Sequence, residues 1–125
     1  MIKAALVALL FLSPLSSEAG AAAAAGAQPV AYLIAEIAVH DPAAYEGYKA
    51  AVAPLVAQFG GRYLARGGAA EALEGEAVKG RIIVLEFPSA AAARSFLQSD
   101  AYRPVAAIRY KSAVSRVIMV EGVAP

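Results

Sequence analysis

Residues 30–39 read VAYLIAEIAV, a run in which one carboxylate, Glu36, stands among aliphatic and aromatic side chains. Its β-branched and aromatic members and its nearly unbroken apolarity predict a strand covered on both sides. Side chains alternate across a strand, so Ala31, Leu33, Ala35, Ile37 and Val39 share one face, and Tyr32, Ile34, Glu36 and Ala38 share the other. A charge on a covered face is costly unless it is paired, and the partner of Glu36 therefore matters to the whole assembly.

Downstream, Asp41-Pro42 is a helix start, since Asp can accept from free backbone N–H groups and Pro fits the first helical position. Tyr45, Tyr48, Val52, Leu55, Val56 and Phe59 then recur at helical spacing up to a stop at Gly60-Gly61. Pro54 lies inside this pattern and removes the bond to the Ala50 carbonyl, so a kink or restart is expected there. Arg62–Arg66 alternates as a second strand. A turn-rich connection, RGGAAEALEGEAVKG, follows, with Glu71–Leu73 expected to be briefly extended. Arg81–Phe87, RIIVLEF, is the third strand, closed by Pro88. Ser89 caps a helix whose inner face carries Ala93, Phe96 and Leu97. Ser99-Asp100 interrupts it, and Ala101–Tyr110 resumes with Pro104 in the first turn. Ser115–Glu121 is the last strand, ended by Gly122. This order predicts an α+β, ferredoxin-like βαββαβ domain over residues 28–125. Its four-stranded antiparallel sheet has helices on one face and leaves the other open.

Upstream, MIKAALVALLFLSPLSSEAG has one early positive charge at Lys3, an apolar run over Ala4–Leu12, and small residues around Ala19 and Ala21–Ala25. That is the layout of a signal peptide with an Ala-rich leader over residues 1–27, too short in its apolar run for a span of about 20 residues. Cleavage after Ala19, Ala25 or Ala27 fits the small-residue pattern, and an uncleaved anchor is the alternative. The expected location is secreted or periplasmic, with no membrane attachment after cleavage. The chain of 125 residues has no cysteine, no tryptophan and a formal charge of +1. Such a balance gives no electrostatic footprint for nucleic acid, and the missing cysteines exclude a disulfide framework. The hydrophobic fraction of 60% is inflated by alanine, which buries little area per residue.

Sending the large apolar residues toward the helices places Leu33 with Ile37, Tyr63, Ile83 with Leu85 and Phe87, and Val117 with Met119 on the covered side. The open side takes Tyr32, Ile34 and Glu36; Arg62, Leu64 and Arg66; Ile82, Val84 and Glu86; Arg116, Ile118 and Val120. On this alternation the strand charges all gather on the open side among aliphatics. Glu36 then neighbours Arg116, and Glu86 neighbours Arg62 or Arg66. Exposed cross-strand pairs are worth roughly 0.2–1 kcal/mol, too little to explain the accompanying isoleucines. A second copy of the sheet laid over the first would bury those aliphatics and enclose the charges, so a homodimer is expected.

Arg62 and Arg66, on one strand face, can hold a carboxylate or enolate together, or can serve as structural partners of Glu86. Gly67-Gly68 either ends the strand or lets a ligand approach the backbone. His40, the one imidazole, and Glu36 are the candidate proton acceptors. Tyr45, Tyr48 and Tyr102 combine apolar bodies with polar tips, and Tyr48 and Tyr102 are the candidates for a cavity rim. Glu36 and Glu86, on what are expected to be parallel neighbouring strands, each have an arginine partner and do not form a catalytic carboxylate pair. No cysteine or His/Asp/Glu cluster at ligand spacing is present, so no metal site and no cofactor are expected.

Taken together, VAYLIAEIAVHDPAAYEGY, FGGRYLARGG, ALEG, RIIVLEFPS, SDAYRP and the closing VEG resemble the bacterial family called domain of unknown function 1330, over about Pro29–Val123. The resemblance implies a dimeric α/β barrel. Its superfamily also holds cofactor-independent monooxygenases, haem-degrading enzymes and small lactone isomerases. The family has no agreed activity, and fold alone does not supply one. Two uses remain open. One is an enzyme without cofactor, or a vestige of one, that holds a small anionic or carbonyl compound with Arg62 and Arg66, with Glu86, Arg116, Tyr48 and Tyr102 around the ligand. The other is a non-catalytic module whose strand charges only fix the dimer.

Overall fold

The apolar alternation of residues 30–39 becomes β1, Ala31–Val39, at the interior of the sheet in a computed structural model that describes residues 27–125. The expected leader over residues 1–27 therefore lies outside the described residues except for Ala27. The remaining elements are α1 (Pro42–Gln58), β2 (Arg62–Arg66), β3 (Arg81–Phe87), α2 (Ala90–Gln98), α3 (Tyr102–Ser112) and β4 (Ala113–Glu121). Strand order is β2-β3-β1-β4 and every pairing is antiparallel, which is the ferredoxin-like α+β arrangement. Among the described residues, no helix is long and apolar enough to cross a membrane.

Local chemistry sets the boundaries. The Asp41 carboxylate accepts from the Ala44 N–H at 3.2 Å, and Pro42 occupies the first turn of α1. Gly60 ends that helix at φ +82°, a left-handed conformation in which a side chain would be strained. The helix runs through Pro54 without the expected restart. Pro54 and Ala50 both face solvent, so the carbonyl that loses its helical donor can turn to water. Ser89 accepts from the Ala92 N–H at 3.1 Å to start α2. The Ser99 hydroxyl then closes α2 by donating to the Phe96 carbonyl at 2.8 Å, and it opens α3 by accepting from the Tyr102 N–H at 3.1 Å. Helix α3 extends to Ser112, two residues beyond the expectation, and β4 begins at once at Ala113. Glu71–Leu73 forms no strand; a connection with four glycines and a charged, alanine-rich composition offers neither apolar alternation nor a pairing edge there.

The core lies between the sheet and its helices. Leu33, Ile37, Ile83, Leu85 and Phe87 project from the sheet to meet Tyr45, Tyr48, Val52 and Val56 of α1, Ala93 and Phe96 of α2, and Tyr102 and Ala106 of α3. Phe96 is the hub, with ring centroids 5.3 Å from Phe87, 4.5 Å from Tyr102 and 5.9 Å from Phe59. Each fully buried large side chain of this kind contributes about 1.5–3 kcal/mol of transfer free energy. On the other side of the sheet Leu64, Ile118 and Val120 are exposed, and Tyr32, Ile34, Ile82 and Val84 are half-buried.

Candidate functional site

The register of β2 against β3 carries a β-bulge that relocates one arginine. Arg62 pairs with Glu86 and Tyr63 with Leu85; the next pairs are Ala65 with Val84 and Arg66 with Ile83, so Leu64 has no opposite number. One extra residue in a strand reverses the facing of everything after it. Arg66 therefore does not share a face with Arg62. It lies on the helix side with Ile83, its guanidinium carbon 4.4 Å from the centroid of the Tyr63 ring. Arg81 is a second exception to the gathering of charges on the open side. It opposes Ile37, and its guanidinium donates to the Tyr45 hydroxyl at 2.9 Å and to the Arg66 carbonyl at 3.4 Å. Gly67 makes this possible, because at φ +71° a side chain would be strained and its Cβ would stand 2.5 Å from the Arg81 guanidinium.

These residues border a cavity between the sheet and α1 that opens to solvent and has a volume of about 50 Å³. Its walls are largely aliphatic and aromatic: Leu33, Ile37, Val52, Ile83, Leu85 and Phe96. Its polar groups are the hydroxyls of Tyr45, Tyr48, Tyr63 and Tyr102 with the cations of Lys49, Arg66 and Arg81, and among the described residues no carboxylate lines it. Tyr45 and Tyr48 pack with centroids 5.3 Å apart. Burial pushes the Tyr48 hydroxyl well above its ordinary pKa, and the neighbouring Tyr102 raises it further. Burial likewise raises Tyr63, although Arg66 works against it. Both tyrosines are therefore hydrogen-bond donors at neutral pH.

Behind Tyr102 stands Arg109, only 4% exposed. It donates to the Tyr102 hydroxyl at 3.2 Å and to the Ser115 hydroxyl, and it lies 5.8 Å from the Tyr48 ring centroid and 5.0 Å from that of Tyr110. Among the described residues no carboxylate pairs with it. Burial opposes its charge, but Tyr102, Tyr48 and Tyr110 outweigh that penalty and its pKa is raised.

The open side holds the rest of the expected site. Arg62 donates to both carboxylate oxygens of Glu86 at 3.2 and 3.3 Å. Glu36 opposes Arg116 in the β1–β4 register, beside Ile34, Ile82 and Ile118, with no ion pair formed between them. Strands β1 and β3 are antiparallel rather than parallel, so Glu36 opposes Ile82 and Glu86 opposes Tyr32, which keeps the two carboxylates apart. His40 is exposed, and its backbone N–H donates to the Ser112 carbonyl at 2.9 Å. The structure thus brings Arg66, Tyr48 and Tyr102 together at the cavity and leaves Glu36, His40, Arg62, Glu86 and Arg116 away from it. Arg81 and Arg109 are the residues that strand and motif reading missed. Arg81 has the parity of Ile83 and Leu85, and Arg109 has the helical phase of Tyr102 and Ala106, so both were traceable as charges on apolar stripes.

No curated protein matches the chain. Among solved structures, the RPA0582 protein of unknown function from Rhodopseudomonas palustris superposes with a TM-score of 0.62 at 22% identity, covering 88% of this chain and 95% of that one. SnoaB, a cofactor-independent oxygenase from Streptomyces nogalater, superposes with a TM-score of 0.51 at 19% identity, over 78% of this chain and 96% of its own. A protein of unknown function from Bacteroides thetaiotaomicron, described as a possible oxidoreductase, gives 0.52 at 15% identity over 77% and 100%. At these identities the likeness is one of fold. The sequence profile of one family covers residues 30–123, nearly the whole described domain, and the chain belongs to that family, Domain of unknown function (DUF1330).

Proposed function

We propose that the protein binds a small anionic or carbonyl compound in the cavity between sheet and helices, as an exported homodimer that works without a cofactor. The observation that carries this is the lining: three cations and four tyrosine hydroxyls set in apolar walls, with no carboxylate among them. Such a pocket favours a flat apolar body with a negative or polarised oxygen at one end. The fold likeness to a cofactor-independent oxygenase makes turnover of such a compound a reasonable extension, with the tyrosines acting as donors.

The open side supports the assembly part. Leu64 is 47% exposed, Ile118 42% and Val120 47%, on the same side of the sheet as Glu36, Arg62, Glu86 and Arg116. A second copy laid on this side buries the aliphatics, while the charges fix its register, which is where the structural role of those four residues belongs.

Thermal unfolding with benzoate tests the binding. Benzoate should raise the Tm of the wild type, and Arg66→Ala or Arg81→Ala should abolish that rise while the unliganded variants still unfold cooperatively. An unchanged rise in both variants removes the cavity arginines from the reading.

A further inference from the structure

A guanidinium can only donate hydrogen bonds. Where Arg109 meets Tyr102, the hydroxyl oxygen must therefore be the acceptor, and the tyrosine's own proton is turned away from Arg109. It is left to face Tyr48 or whatever occupies the cavity that both rings line. Arg81 imposes the same direction on Tyr45, whose hydroxyl accepts from it at 2.9 Å on the same cavity. Two tyrosine hydroxyls are thus each backed by a positive charge and directed by it. The difference between them is burial: Arg81 is half-buried at the cavity edge, whereas Arg109 is enclosed and, among the described residues, has no carboxylate partner. A buried charge without a counter-ion is costly to keep. Hydrogen bonds to Tyr102 and Ser115 engage its two terminal nitrogens and the surrounding tyrosines favour its charge, but none of these groups is a carboxylate, and an anion in the adjoining space would supply the counter-charge.

We propose that Arg109 is a positioning residue that acts through Tyr102, turning its hydroxyl into the donor of an oxyanion site, and that the ligand is a flat molecule carrying a phenolate or enolate oxygen. This rests on the cavity-binding reading above and narrows it. A phenolate or enolate puts its charge on one oxygen that a single hydroxyl can meet, and its planar body suits a slot walled by Phe96, Leu85 and the tyrosine rings. The charged groups facing the slot from the sheet and α1 are Arg66, Arg81 and Lys49, all cationic, and Lys49 is shared with Glu46 at 2.7 Å.

The probe is 4-nitrophenol, whose visible absorption reports its ionisation, with nitrobenzene as its neutral counterpart. Wild-type protein should bind 4-nitrophenol and raise its ionisation constant about tenfold, the usual consequence of a nearby opposite charge. Tyr102→Phe, which keeps the ring, should bind nitrobenzene as the wild type does and lose most of that increase. Arg109→Gln should lose it too, and Arg109→Lys should retain more of it than Arg109→Gln. If the bound probe ionises no more readily than the free one, or if Tyr102→Phe leaves the increase intact, the oxyanion site is wrong while the cavity still stands. If neither 4-nitrophenol nor nitrobenzene binds, the cavity reading fails and takes this one with it.

Discussion

Phe96 and Tyr48 show what single side chains contribute here. Phe96 touches three aromatic neighbours and is 2% exposed, so Phe96→Ala should cost about 3–5 kcal/mol, enough to bring a small domain close to unfolding, measured by the urea midpoint. Arg62 stands at the other extreme. Its bidentate pair with Glu86 is exposed on the arginine side, and Arg62→Ala should shift monomer stability by less than about 1 kcal/mol in the same measurement. Tyr48 ties stability to pH. Its folded pKa lies above the unfolded value near 10, so above that value the unfolded chain releases a proton that the folded one holds. The contribution is complete below pH 10 and shrinks as the pH rises further. Urea midpoints measured from pH 8 to 11 should fall at the alkaline end, and less steeply in Tyr48→Phe.

Among the elements, β2 is the one whose geometry decides the site. Its bulge leaves Ala65 opposite Val84 and Arg66 opposite Ile83, and a strand lacking Leu64 could keep those same partners without interruption. Deleting Leu64 should therefore be tolerated within about 1 kcal/mol and should leave Arg66 over Tyr63, checked by thermal unfolding and by benzoate binding. The expectation that Arg62 and Arg66 act together came from counting residues along a strand, and counting is blind to a bulge. Helix α1 illustrates the opposite case. The stripe of Tyr45, Tyr48, Val52 and Val56 was legible because 3.6-residue periodicity survives an exposed proline.

For the molecule as a whole, the two sides of the sheet differ in what they present. The helix side closes over a cavity, and the open side presents aliphatics and charges that suit a second copy. Ile118 lies on that side, and Ile118→Glu should convert a micromolar dimer into a monomer on sedimentation without a large change in monomer fold. A wild type that sediments as a monomer at micromolar concentration would remove the assembly part of the proposal.

The order and type of the elements were already determined by the sequence, because alternation, helical periodicity, Asp41, Ser89 and the glycine stops are local signals that do not depend on distant contacts. So was the placement of Glu36 opposite Arg116, which follows from topology and parity, whereas the same parity left Glu86 a choice between Arg62 and Arg66 that the structure resolves in favour of Arg62. Only the tertiary structure decided where the site lies. The Leu64 bulge sends Arg66 to the helix side, Gly67 admits the Arg81 guanidinium, and the packing of α3 on β4 brings Arg109 to the Ser115 hydroxyl. Each depends on how one segment meets another in space, and a one-residue slip in that meeting exchanges the two faces of a strand.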